Sequence, residues 1–148
     1  MQFRDFEMGD LDECTRLLLC VYERDPWNDA WPNVETARQY LLEFAQNPSF
    51  MGQLAIDENR IAGASFGHKR TWWQGAELYI DEFYIHPDLQ RRGIGKALMN
   101  HIKSELTRLN IHAMALLTER GYPSEAFYRR EGFVIRKSTQ FMISEFLA

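Results

Sequence analysis

The chain has 148 residues, 45% hydrophobic and 26% charged, with a formal net charge of −4. That composition is of ordinary globular type and the length suits one domain, residues 1–148, whose core needs no covalent staples. The acidic balance speaks against a general nucleic-acid binder, which needs a basic face. No apolar run approaches the roughly 20 residues of a membrane span, so no membrane partner is expected.

Met1-Gln2-Phe3-Arg4-Asp5 carries no secretory apolar region, and Cys14 and Cys20 fall on different faces of one expected helix. Without an export signal or a disulfide framework, a cytoplasmic location is expected.

Residues 2–6 alternate polar and apolar and read as a first strand. Asp10 is the expected N-cap of a first helix, with Glu13 completing a capping box, and Leu11, Cys14, Leu18, Val21 and Tyr22 form its stripe. The loop that follows is rich in carboxylates and aromatics: Glu23, Asp25, Trp27, Asp29 and Trp31. Asn33 caps a second helix with Val34, Ala37, Leu41 and Phe44 on its buried face. Residues 50–56 and 61–68 read as two strands joined by a turn at Asp57-Glu58-Asn59-Arg60, and residues 70–75 as a second aromatic loop with Trp72 and Trp73.

The next strand breaks its own pattern. Leu78 and Ile80 alternate with Glu77, Tyr79 and Asp81, but the apolar set then jumps three residues to Phe83 before resuming at Ile85. A one-residue slip of this kind marks a β-bulge within residues 81–84, which would leave backbone groups available to a ligand. Pro87 and Asp88 end the strand, and Ile94, Ala97, Leu98, Ile102, Leu106 and Leu109 give a helical stripe opened by Gln90-Arg91-Arg92-Gly93-Ile94-Gly95. Early helix N–H groups lack internal partners and sit at the positive end of the dipole, so strand, glycine turn and helix together form an anion site, with Arg91, Arg92 and Lys96 adding cations. The G-x-x-x-x-G-K-[ST] loop is absent, and G-x-G-x-x-G fails at Leu98, so neither a nucleoside triphosphate nor a dinucleotide site is indicated. Residues 113–117 read as a buried strand, residues 124–130 as a short helix followed by Gly132, and residues 133–137 and 140–146 as the strands that close the sheet.

Gln90-x-x-Gly93-x-Gly95, following Phe83-Tyr84-Ile85-His86-Pro87, resembles the acetyl-coenzyme A motif of the GNAT acyltransferases. Ala126-Phe127-Tyr128-Arg129-Arg130-Glu131-Gly132-Phe133 resembles that family's second signature, and the element order fits along the whole chain. The resemblance implies a single-domain α/β (α+β) fold: a central, mixed but mostly antiparallel, bulged sheet flanked by helices. It implies direct acetyl transfer from acetyl-coenzyme A to an amine. The pantetheine arm would pair with the backbone around Phe83, Tyr84 and Ile85, and the diphosphate would sit on the N–H groups of Arg91, Arg92, Gly93, Ile94, Gly95 and Lys96, after Gln90. Tyr128 falls on the general-acid position; its plain alternative is a core residue beside Phe127. Family members often carry Asn near the start of that helix, where this chain has Tyr122-Pro123-Ser124.

An amine needs a base, because its ordinary pKa is about 10.4. The family's acceptor-facing positions correspond to Asp81 and Tyr79, and Glu82 could turn to the same side at a bulge. The residues leave both carboxylates open as the base, or as mere solvated charges. In the family the loop between the first two helices walls the acceptor site. Trp27, Asp29 and Trp31 there would suit a cationic small-molecule amine, an aminosugar among them. Equally, Trp27 and Trp31 at i,i+4 could plug the edge of the domain. An amine on a protein and a coenzyme-binding sensor without turnover are the rival readings, and a homodimer is compatible with the sequence. His68, His86, His101 and His112 show no ligand spacing, so no metal is expected.

Overall fold

The computed structural model describes residues 1–146. The chain divides into two compact units, Met1–Leu117 and Thr118–Ala148. Among the described residues the first unit holds a five-stranded sheet in the order β1-β2-β3-β4-β5: β1 (Gln2–Asp5), β2 (Phe50–Asp57), β3 (Arg60–Trp72), β4 (Gly75–Ile85) and β5 (Met114–Leu116). The first four strands pair antiparallel and β5 runs parallel to β4. Three helices belong to this unit: α1 (Leu11–Tyr22), α2 (Val34–Ala45) and α3 (Ile94–Arg108). This is the mixed, mostly antiparallel, helix-flanked architecture expected from the sequence.

Local chemistry accounts for most boundaries. The Asn33 side chain accepts from the Thr36 N–H at 2.7 Å and starts α2. Glu58 and Asn59, both at positive φ, make the two-residue turn between β2 and β3. One face of the sheet buries Leu11, Cys14, Leu18 and Val21 of α1 and Ala37 and Leu41 of α2 against Leu54, Phe66 and Tyr84. Leu78, Ile80 and Ile85 are buried outside that cluster, as are Ile94, Leu98 and Ile102 of α3.

The bulge is real and its position is fixed by the register. Phe66 pairs with Glu82 and Gly67 with Ile80, so Asp81 is the extra residue on β4. After it Tyr84 joins the α1–α2 core, whereas an uninterrupted alternation would have kept it on the side of Leu78 and Ile80. Gly67 sits opposite the bulge because a Cβ there would lie 2.7 Å from the Tyr79 carbonyl oxygen.

Several local expectations are corrected. Asp10 does not cap α1 with its side chain: its carboxylate accepts from the Glu7 N–H and from Arg4, both at 2.8 Å, while Glu13 accepts from the Ile61 N–H. Val34 is exposed along with the rest of the first turn of α2, and burial starts at Ala37. Residues 70–75 are not a loop; β3 runs to Trp72 and pairs with β4, because each cross-strand partner continues the ladder. The strand at 113–117 is shorter and less buried than expected, with Leu117 exposed, because β5 is an edge strand with only β4 beside it among the described residues.

In the second unit, α4 (Pro123–Arg130) ends as expected. Gly132 at φ +97° takes the left-handed position, and its N–H and that of Phe133 bond back to Arg129 and Tyr128. Residues 133–137 and 140–146 do not form the two closing strands. The chain reverses at Arg136–Thr139, but no ladder follows, and Val134, Phe141, Met142 and Phe146 are exposed. Alternation alone does not make a strand; the pairing that completes it is absent from the described residues.

Candidate active site

The bulge places two consecutive carboxylates in different environments. Glu82 turns toward α2, where the Tyr40 hydroxyl donates to its Oε1 at 2.5 Å. The Tyr22 hydroxyl, from the end of α1, reaches both this carboxylate and the Phe83 carbonyl 3.4 Å away, and its one hydrogen serves one at a time. Burial pushes the Glu82 carboxyl up to about 7; the two phenols oppose that rise, and the nearby charges of Asp29 and Asp81 add to it. Burial, with the Glu82 charge beside it, holds the Tyr40 phenol far above its ordinary range, so it stays a donor. Asp81 instead meets His68 across the β3–β4 pair, Oδ2 to Nδ1 2.8 Å. The sequence left the two acids equivalent; their partners separate them.

The expected acceptor-side residues gather on this face. Asp29 acts on both Glu82 and Tyr40. The Trp31 ring packs 5.3 Å from Tyr40 and against the α1–α2 core, and its buried indole N–H finds no acceptor among the described residues. Trp27 lies edge-on to Tyr22 at 5.1 Å. Each tryptophan thus packs on one of the two tyrosines that reach Glu82. Tyr79 sits 5.4 Å from the His68 ring, and the Arg70 guanidinium already covers one of its faces at 4.8 Å. That contact leaves Tyr79 one fewer face for a cationic ligand. Trp72 and Trp73, at the hairpin tip, are exposed.

The stretch expected to receive an anion forms the glycine turn and helix start read from the sequence. α3 begins with Gly93 at φ +81°, a conformation that costs other residues roughly 1–2 kcal/mol. Glycine has no side chain with which to cap the helix, so the first amides of α3 face outward unclaimed by one; the first intrahelical bond is Ala97 N–H to the Gly93 carbonyl. Arg91, Arg92 and Gly93 are exposed around this turn, and the Gln90 side chain ties it to the Ile85 carbonyl at 3.0 Å. The β4–β5 ladder stops at Ile80 and Leu116, where β5 ends, whereas β4 continues to Ile85, so Phe83, Tyr84 and Ile85 have no partner on β5. The Tyr84 side chain is committed to the core, its hydroxyl donating to the Cys14 carbonyl at 2.9 Å, and only its backbone can serve a ligand. An uncapped helix start beside exposed arginines is chemically able to receive an anion.

A family model for the acetyltransferase (GNAT) family matches residues 11–133. The chain belongs to that family. Its fold and family make it an acyltransferase. Similar solved structures include a GNAT family acetyltransferase from Staphylococcus aureus, 22% identical, covering 98% of each chain at a TM-score of 0.72. An aminoglycoside 6′-N-acetyltransferase from Acinetobacter haemolyticus is 13% identical over 99% of each chain, at 0.76. A ribosomal-protein-alanine N-acetyltransferase from Brucella melitensis is 16% identical over 98% of this chain and 100% of its own, at 0.77. At these identities the likeness is one of fold, and the acceptors in those descriptions differ from one another.

Tyr128 lies in the second unit, buried on α4, its ring 5.4 Å from that of Phe133. Among the described residues no three His, Cys, Asp or Glu side chains are grouped to hold a metal ion. No described helix is long and apolar enough to cross a membrane. Two surface hollows, of 230 and 180 Å³, are lined by segments around Phe50 and Ile111, and neither includes the carboxylate cluster. Sequence reasoning missed Tyr22, Tyr40 and His68 as site residues. Tyr40 offered one signal: a phenol beside the buried stripe of a helix needs a polar partner. His68 offered none, because its partner is found only by pairing two strands.

Proposed function

We propose that this acetyltransferase moves an acetyl group from acetyl-coenzyme A to a primary amine of a small cationic acceptor, by direct attack and without a covalent enzyme intermediate. The observation that carries this reading is Glu82, a buried carboxyl held at about 7 between two tyrosines and two further carboxylates. A base tuned near neutrality can accept a proton from an ammonium ion and release it again. Asp29 and Asp81 add negative charge that attracts a cation, and Trp27, Trp31 and Tyr40 supply flat apolar walls.

In the proposed reaction Glu82 takes a proton from R–NH3⁺, directly or through one water. The amine lone pair forms a bond to the thioester carbonyl carbon, and the C–S bond breaks as the tetrahedral species collapses. Tyr128, assigned by the family motif, gives its proton to the departing sulfur and regains one from the nitrogen. The sum is R–NH3⁺ plus acetyl-coenzyme A giving R–NH–CO–CH3, coenzyme A thiol and one proton. The diphosphate is held by amides of Arg91–Lys96, whose cationic side chains add attraction. This scheme treats residues 1–148 as one catalytic domain in the cytoplasm.

The test is thiol release from acetyl-coenzyme A over a panel of polyamines, aminosugars, amino acids and N-terminal peptides. Turnover on small polycations above peptides is expected; turnover on peptides alone would replace the acceptor class. Tyr128→Phe is expected to lower kcat while calorimetry shows coenzyme binding intact. Tight coenzyme binding with no turnover on any amine would instead identify a sensor.

A further inference from the structure

In the proposed transfer each turnover leaves one proton on Glu82, a half-buried carboxylate already engaged by a phenol. Glu82 lies between two helices and the sheet, its carboxylate engaged by Tyr40. The next residue along the bulge, Asp81, has a side chain 12% exposed, and its partner His68 is 25% exposed. All three side chains are half-buried, and of the ion pair His68 is the more open to solvent.

The bulge produces this arrangement. His68 is paired in register with Tyr79, two residues before Asp81, and the rings of His68 and Tyr79 are neighbours. As the unpaired extra residue, Asp81 is not held opposite a β3 partner and its carboxylate closes on Nδ1 of His68 at 2.8 Å. In a neutral ring, a carboxylate facing Nδ1 as acceptor takes the N–H there, which leaves the lone pair on Nε2. Nε2 has no hydrogen-bond partner among the described residues. The other groups around the pair are Tyr79, Arg70 with its partner Glu77, and Glu82 itself.

We propose that His68, oriented by Asp81, is the relay that carries the acceptor's proton from Glu82 to solvent. The carboxyl O–H of Glu82 gives its proton, through water, to Nε2 of His68. The resulting imidazolium is stabilised by the Asp81 carboxylate against Nδ1–H, and Nε2–H then yields the proton to bulk water. Glu82 is left ionised for the next ammonium. His68 and Asp81 are positioning and relay groups, and neither touches the acetyl carbon. This inference rests on the proposed acetyl transfer.

The test uses the full chain and the best amine from the panel. His68→Ala is expected to lower kcat by about a hundredfold in dilute, non-basic buffer with the acceptor KM little changed, and added imidazole restores the rate. Asp81→Asn, whose amide donates to Nδ1 and moves the proton to Nε2, is expected to fall as far. Nitrogen NMR of the resting wild-type protein is expected to show His68 as the Nδ1–H tautomer. A wild-type kcat in His68→Ala overturns the relay and leaves the acetyl-transfer reading standing. So does a loss indifferent to imidazole and buffer concentration, in a variant that still binds acetyl-coenzyme A, or an Nε2–H tautomer in the wild type. A wild-type chain silent on every amine refutes acetyl transfer itself and the relay with it.

Discussion

Replacing Glu82 by glutamine removes a charge that the folded chain holds unfavourably. The carboxyl rises from an ordinary 4.5 to about 7 on folding, chiefly because it leaves water. At about 1.4 kcal/mol per pKa unit, ionised Glu82 is roughly 3 kcal/mol less favourable in the folded chain than in the unfolded one. Because the folded pKa is the higher one, the stability associated with this group is fully present below pH 4.5. It drains away as pH climbs toward 7, where the unfolded chain has already shed its proton. The amide of Glu82→Gln never ionises, and its oxygen can still accept from Tyr40. The variant is therefore expected to match the wild type near pH 4 and to exceed it by about 3 kcal/mol above pH 8. Urea unfolding of both proteins at pH 4, 6 and 8 measures the difference. A gap that does not vary with pH, or a wild type that is the more stable at pH 8, refutes the placement of this carboxylate between the tyrosines.

Tyr40→Phe deletes a donor to the ionised Glu82, so the acid limb of the kcat/KM profile is expected to move up by about one pH unit, with activity recovered in alkali; an unmoved limb dissociates Glu82 from the chemistry. Gly67→Ala would force a Cβ to within 2.7 Å of the Tyr79 carbonyl oxygen, and denaturant melts are expected to show a loss of about 1–3 kcal/mol. Gly93→Ala meets no atom within 4 Å, yet its φ of +81° costs alanine about 1 kcal/mol. Calorimetry is expected to show weaker coenzyme binding alongside that small destabilisation, whereas unchanged binding places the diphosphate elsewhere.

Much of the fold was legible because local patterns encode it. The slip from Ile80 to Phe83 announced the bulge, and register confined it to Asp81. Asn33 and Gly132 marked a helix start and a helix end through chemistry contained within a few residues. Expectations failed where the deciding partner was remote or missing. Asp10 and Glu13 do not box each other: Asp10 closes a box with Glu7 one turn earlier and pairs with Arg4, and Glu13 accepts from Ile61. Residues 133–146 alternate without a ladder to join. For the candidate site, the sequence supplied the glycine turn, both carboxylates and the tryptophans, but not which carboxylate is which.

The order of elements, the kink in the fourth strand and the uncapped start of the long helix are properties of short stretches, set by side-chain period and by where glycine stands. The division of labour between Asp81 and Glu82 is not. It depends on a phenol 42 residues upstream on a different helix and on a histidine across the sheet, 13 residues away along the chain. Desolvation and hydrogen bonding act through space, so only the packed chain decides which of two adjacent acids is raised to about 7 and which holds an imidazole.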